Sequence, residues 1–310
     1  MRHLRWQLII AILGMLLVAG LLAGKGQQGI VEIADEPVRG GVYTEALIGT
    51  PHRFNPLLDS ANPVDHDIDR LLFSGLTRFD AVGRPTPDLA NWIISDDELT
   101  YTFVVRADAR WHDGQPVTSA DVAFTAGLLQ DPGFPGRADV AQLWQSVKVK
   151  VVNQQTVEFT LPEPFAPFLD YTSFGLLPEH ILTGTAAADL PAAAFNSAPV
   201  GTGPFKFVGL TGEAGQITGA RLAAFDGYRG AAPLLNDVLF KFYPDTAAAL
   251  AAYQAGEVLG ISRIDAAHVD QALALPTLGV YSSLLPQYSL IFLNLQNPEL
   301  TFFQDKRVRQ

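Results

Sequence analysis

The residues most suggestive of chemistry fall together in Asp65-His-Asp-Ile-Asp69, three carboxylates and an imidazole in one short run. As a calcium loop the run fails. Counted from Asp65, Arg70 stands where the sharp turn needs glycine, and Leu76 where the bidentate glutamate belongs. The alternative is a helix running to Leu76 with its acids in the first turn, where they complement the dipole. Ile68, Leu71 and Leu72 would form its apolar stripe. His180 has no second histidine or cysteine at ligand spacing, which makes it a helix-surface residue rather than a metal ligand. Pro199-Val-Gly-Thr-Gly-Pro-Phe-Lys-Phe207 is glycine-rich, but it opens a strand, so it offers no helix N-terminus to a phosphate. No G-x-S-x-G, H-E-x-x-H or Walker sequence occurs, and none of the 6 histidines has triad spacing. These residues point away from an enzyme, a resident metal or a cofactor.

Composition narrows the class further. The chain has 310 residues, enough for one large or two ordinary domains, with 48% hydrophobic and 17% charged residues. A net charge of -11 argues against nucleic acid, which wants a basic face. There is no cysteine, so disulfides and thiolate chemistry are excluded.

The elements that must position any site are clearest between Pro87 and Thr125. Thr100 to Arg106 alternates as a strand, with Tyr101, Phe103 and Val105 on one face. Trp111-His-Asp-Gly114 ends it in a turn. Thr118-Ser-Ala-Asp121 is a capping box opening a helix through Val122, Phe124 and Leu128. Val42 to Ile48 and Asp237 to Phe242 read as strands. Val147–Val151 and Val157–Leu161 read as a hairpin whose outward Lys148 or Lys150 can pair with Glu158. Asp245 to Gly256 is a helix with an N-cap and a terminal glycine. Asp131-Pro-Gly-Phe-Pro-Gly136 is a loop, and 183–198 an alanine-rich linker or helix.

Several of these runs closely resemble signatures of the family 5 extracellular solute-binding proteins, the oligopeptide-, dipeptide- and nickel-binding receptors of ABC importers. They are Pro87-Asp-Leu-Ala90, Leu99-Thr-Tyr-Thr-Phe103, Trp111-His-Asp-Gly114, Asp121-Val122 and Pro199 to Phe207. Phe54-Asn-Pro-Leu-Leu-Asp-Ser60, Leu72 to Asp80, Leu290 to Leu295 and Phe303 to Gln310 continue the resemblance in the family's order. Ala107 departs from the usual charged residue, and Ala224 to Gly230 lacks the family's asparagine and tryptophan.

The resemblance implies an α/β fold of the two-lobed periplasmic-binding-protein type (type II, three subdomains), with most of lobe II missing. It places the lobe I base at 40–60 and 190–265, an inserted lobe I subdomain at 61–189, and the start of lobe II at 266–310. It makes Arg53, Phe54, Asn55 and Thr202 candidate ligand-binding residues. It implies capture of a peptide or similar small solute by a monomer that works with ABC permease subunits. Lobe I alone leaves such a cleft open on one side, so weak binding is expected of this chain. A membrane-anchored, non-transporting receptor or truncated remnant is the alternative.

Residues 1–26 carry Arg2, His3 and Arg5 before an apolar run from Trp6 to Gly24. That is either a cleaved signal peptide or a retained membrane anchor, with the remainder extracytoplasmic, periplasmic or at the cell surface. Residues 27–39 are a polar linker.

Overall fold

The computed structural model describes residues 38–213, 215–282, 290, 292–297 and 299–308. The N-terminal signal or anchor segment therefore lies outside the described residues, as does the linker up to residue 37. The chain divides into two compact units between Arg263 and Ile264.

In the first unit, β1 (Val42–Ile48) leads through an irregular segment to α1 (Pro63–Leu72). Asn62 caps α1 by accepting the Val64 amide at 2.9 Å, and Pro63 occupies the first helical position, where no N–H is needed. The helix stops at Leu72, short of Leu76, because Phe73 turns extended (φ -120, ψ 154). The Leu72 carbonyl this releases accepts the Gly203 amide at 2.8 Å.

Next come β2 (Thr77–Phe79), β3 (Pro85–Pro87), β4 (Ala90–Ile94) and β5 (Thr100–Val105). The helices α2 (Ser119–Gln130) and α3 (Ala138–Ser146) precede β6 (Lys148–Asn153) and β7 (Thr156–Thr160). A single turn, α4 (Glu179–Leu182), follows. Then β8 (Phe205–Glu213), β9 (Gln216–Ala224), β10 (Asp237–Tyr243), α5 (Thr246–Gln254) and β11 (Gly260–Ile261) complete the unit.

Among the described residues the longer strands build two sheets. One is antiparallel and four-stranded, ordered β4-β5-β7-β6; the other is five-stranded, ordered β11-β1-β10-β9-β8. In the second, β1 runs parallel to both of its neighbours. One hydrophobic core joins the two sheets. Tyr101, Phe103 and Val105 point into it from β5, as their alternation requires. The rings of Trp144 and Phe159 lie 5.1 Å apart edge to face, and those of Tyr101 and Phe168 4.8 Å apart. Leu222 and Phe240 extend the core onto the five-stranded sheet.

The capping box at Thr118 and Asp121 forms, with the Thr118 amide donating to Asp121 at 2.8 Å. Lys150 meets Glu158 at 2.8 Å across the hairpin. Val151 departs from its expected inward face. It is 47% exposed although it stands directly opposite the buried Val157, because β6 is the edge strand of its sheet and regular pairing breaks just beyond it.

Among the described residues the second unit holds α6 (Val269–Leu273) and three short 3-10 turns, Ala266–His268, Thr301–Gln304 and Lys306–Val308. The family resemblance implies a strand at 290–295 and the opening of a helix from Phe303. Leu290 and Phe292 to Leu295 are irregular instead, with no partner strand in this unit among the described residues to complete a ladder. Among the described residues, no helix is long and apolar enough to cross a membrane.

Candidate functional site

The two most distinctive sequence runs, Trp111 to Gly114 and Pro199 to Phe207, are clasped together. The His112 amide donates to the Gly201 carbonyl at 2.8 Å. The His112 ring completes the clasp. Its Nδ1 accepts the Gly201 amide at 3.1 Å, and its Nε2 lies 3.1 Å from the Gly203 carbonyl. These partners require the neutral tautomer that carries its proton on Nε2. Burial pushes the imidazole down to about 4. Gly201 and Gly203 press against the end of α1; a Cβ on either would collide with the Leu72 or Leu71 carbonyl oxygen. Arg229 locks the same loop, donating from Nη1 to the Thr202 carbonyl at 3.1 Å and pairing with Asp88. Trp111 to Gly114, Pro199 to Phe207 and Arg229 thus form a rigid frame behind α1.

On α1 lies a cleft of about 520 Å³. One wall is the segment after β1 together with α1: Pro56, Leu57, Asp59, Ser60, His66, Asp69, Arg70 and Phe73. Leu129 of α2, Val140 of α3 and the loop residues Phe134 and Arg137 form a second. Asp170, Tyr171 and Ser173 to Gly175 form the third. Gly175 is needed there, since a Cβ would meet Pro56 and Phe73 side-chain carbons at 2.8 and 2.5 Å. A second pocket of about 310 Å³ adjoins the first, sharing Ser60 and Arg137, and contains His52, Arg53 and Asp65.

The electrostatics are mixed. His66 Nδ1 lies 3.0 Å from Asp59 Oδ2, and that hydrogen bond raises the imidazole above its ordinary range. Asp65 stands in the first turn of α1, as expected, and its carboxylate also accepts the His52 and Arg53 amides at 2.8 and 3.2 Å, pinning the segment after β1 onto α1. Burial raises the Asp65 carboxyl, and those two amides offset part of the rise. Asp69 is the extreme case. Both its oxygens are buried with no hydrogen bond of normal geometry among the described residues, and the nearby Asn55 amide offsets only part of the cost. Burial first, then the neighbouring Asp59 and Asp65, pushes its carboxyl well above the usual carboxylate range. Among the described residues, no group of three His, Cys, Asp or Glu is arranged to hold a metal ion.

Of the four residues singled out from sequence, three have buried side chains. Phe54 stacks on Phe207 at 5.1 Å within the core. Asn55 donates to Asn196 at 3.1 Å and accepts the Leu57 amide at 3.1 Å. Thr202 accepts the Ser74 amide at 3.2 Å on its hydroxyl. Only Arg53 keeps a partly exposed side chain at a pocket. Asp59, Ser60, Arg70, Arg137 and Tyr171 line the larger cleft and were not anticipated. The signal available was the turn-rich composition of the two segments that converge there, 56–61 and 131–136.

The family model for bacterial extracellular solute-binding proteins, family 5 Middle, matches residues 84–310. The chain belongs to this family. The oligopeptide-binding protein AppA of Bacillus subtilis is 31% identical over 307 residues, 97% of this chain and 54% of that protein. A Brucella ovis protein named for ABC-transporter peptide binding is 38% identical over 174 residues, 55% of this chain and 32% of that protein. The chain therefore spans about half the length of the first of these relatives and about a third of the second. Among solved structures, AppA in complex with a nonapeptide superposes with TM-score 0.69 at 30% identity, covering 78% of this chain and 47% of that one. NikZ of Campylobacter jejuni, in complex with Ni(L-His), gives 0.65 at 30% identity, covering 75% and 45%. The architecture is that of the type II periplasmic binding proteins, of which this chain covers about half.

Proposed function

We propose that this chain is part of the extracytoplasmic substrate-binding component of an ABC transporter, capturing a peptide or similar small solute for import through permease subunits. The observation that carries the reading is the pair of adjoining clefts on α1, in a chain of this family. They are open, rigidly backed, and lined by apolar rings, backbone and charges of both signs, which suits an extended polar ligand. Arg53 contributes from the smaller pocket. Phe54, Asn55 and Thr202 support the same wall from behind, through Phe207, Asn196 and Ser74.

In this reading 40–60 and 190–265 form the base of lobe I, 61–189 its inserted subdomain, and 266–310 the start of lobe II. The protein acts as a monomer, and residues 1–26 export it or anchor it in the membrane. Peptide is favoured over a bare metal ion because the peptide-binding AppA aligns along 97% of this chain. A nuclear magnetic resonance titration of the ¹⁵N-labelled chain with tetra-alanine tests the reading. Saturable shifts at the Ser60, Tyr171 and Ser173 amides are expected. Shifts confined to residues outside both clefts would overturn it.

A further inference from the structure

Most charged groups around the larger cleft are already engaged. Asp59 holds His66, Asp65 holds two backbone amides, and Asp67 holds Arg263 at 2.8 Å. On the facing wall the Arg137 guanidinium is forked onto Asp139, with Nε to Oδ1 at 3.1 Å. Asp69 lies on the same wall as Arg70, but burial favours its neutral acid, so it does little to cancel a neighbouring cation. Arg70 is left over. It sits exposed in the last turn of α1, lines the cleft, and has no hydrogen bond or ion pair among the described residues. Asp170, across the cleft, has a side chain equally without partners among the described residues.

We infer that Arg70 is the residue that recognises a carboxylate of the solute in this cleft, an assignment that rests on the cleft being the solute site. A guanidinium offers a planar fork of donors that matches a carboxylate in two parallel hydrogen bonds. A phosphate dianion fits less well, because its second charge would face the Asp59 and Asp170 carboxylates lining the same space. Arg137 is a weaker candidate because its fork is already filled. Arg70 is a specificity residue in this scheme: it selects acids over neutral analogues, while the rest of the cleft holds the chain of the ligand.

The test compares N-acetyl-tetra-alanine with its C-terminal amide, which differ only in the carboxylate. Both are titrated into the ¹⁵N-labelled chain and into Arg70→Gln, following arginine Nε–Hε and backbone amide resonances. The expected result is that the acid binds at least about tenfold more tightly than the amide, within the range of a charge-assisted pair. The acid should move the Arg70 Nε–Hε resonance. Arg70→Gln should bring the acid down to the affinity of the amide and leave the amide unchanged. If acid and amide shift the cleft amides alike and Arg70→Gln affects neither preferentially, the assignment of Arg70 is wrong while the cleft remains the solute site. If Asp170→Asn alone, without peptide, moves the Arg70 resonance and creates no gain for the acid, Arg70 is a partner of Asp170 and the inference falls. If neither peptide moves any cleft amide, the solute-site reading fails and the inference with it.

Discussion

Replacing His112 by glutamine is expected to change how the stability of the first unit depends on pH. The native imidazole titrates at about 4, against 6.5 for a free histidine, because burial opposes its charge. The native state therefore binds fewer protons than the unfolded chain wherever the pH lies between those values. Stability from this group is fully present above about pH 6.5 and is lost as the pH falls towards 4. A gap of about 2.5 units, at 1.36 kcal/mol each, gives a loss of about 3 kcal/mol. The carboxyls of Asp65 and Asp69 act with the opposite sign, since their native values are raised. They are common to wild type and variant, so the difference between the two isolates His112. Urea unfolding at pH 7.5, 6.5, 5.5 and 4.5 measures it. The stability advantage of wild type over His112→Gln should shrink steadily below pH 6.5, by about 2–3 kcal/mol at pH 4.5. Parallel curves for the two proteins would refute the reasoning, as would a native imidazole that titrates near 6.5 by proton resonance.

Other perturbations should have effects of definite size. Arg229→Leu leaves Asp88 buried beside an apolar side chain and should cost about 3–5 kcal/mol in urea unfolding. The double variant with Asp88→Leu should recover most of that loss. Gly203→Ala must push against the Leu71 carbonyl and should destabilise by about 1–3 kcal/mol, measured the same way. Thr118→Ala removes the side-chain half of the capping box and should lower stability by about 1 kcal/mol. Asp69→Asn should raise stability at pH 8, on the order of 1–3 kcal/mol. The sign follows from the raised native value: what the carboxyl contributes at low pH is lost as the pH rises from about 4 through that value. A variant that gains nothing at pH 8 would show that Asp69 has a donor.

Much of the fold was legible because alternation is local information. Tyr101, Phe103 and Val105 had to share a face whatever they packed against, and the box at Thr118 and Asp121 is complete within four residues. The resemblance to the family rested on Trp111 to Gly114 and Pro199 to Phe207, and the structure gives the physical cause. They touch through His112, Gly201 and Gly203, a contact across 89 positions for the His112 ring and the Gly201 amide. The end of α1 was misjudged because Phe73 and Leu76 keep an apolar rhythm, while the carbonyls that close the helix serve a distant glycine loop. The cleft was harder still. Its walls come from 56–73, 129–140 and 170–175, and nothing in any one segment says that they converge. Phe54 and Asn55 read as loop residues beside Pro56, yet their partners Phe207 and Asn196 bury them.

The five-stranded sheet also sets a timetable for synthesis. Both neighbours of β1, β10 and β11, lie near the far end of the first unit. At roughly 5–20 residues per second, β1 leaves the ribosome some 10–40 s before either partner exists. The four-stranded sheet between them has neighbours close in sequence and can assemble during that wait. The earliest strand among the described residues is thus among the last to be paired. Until then its apolar residues Ala46, Leu47 and Ile48 remain open to other chains or to chaperones.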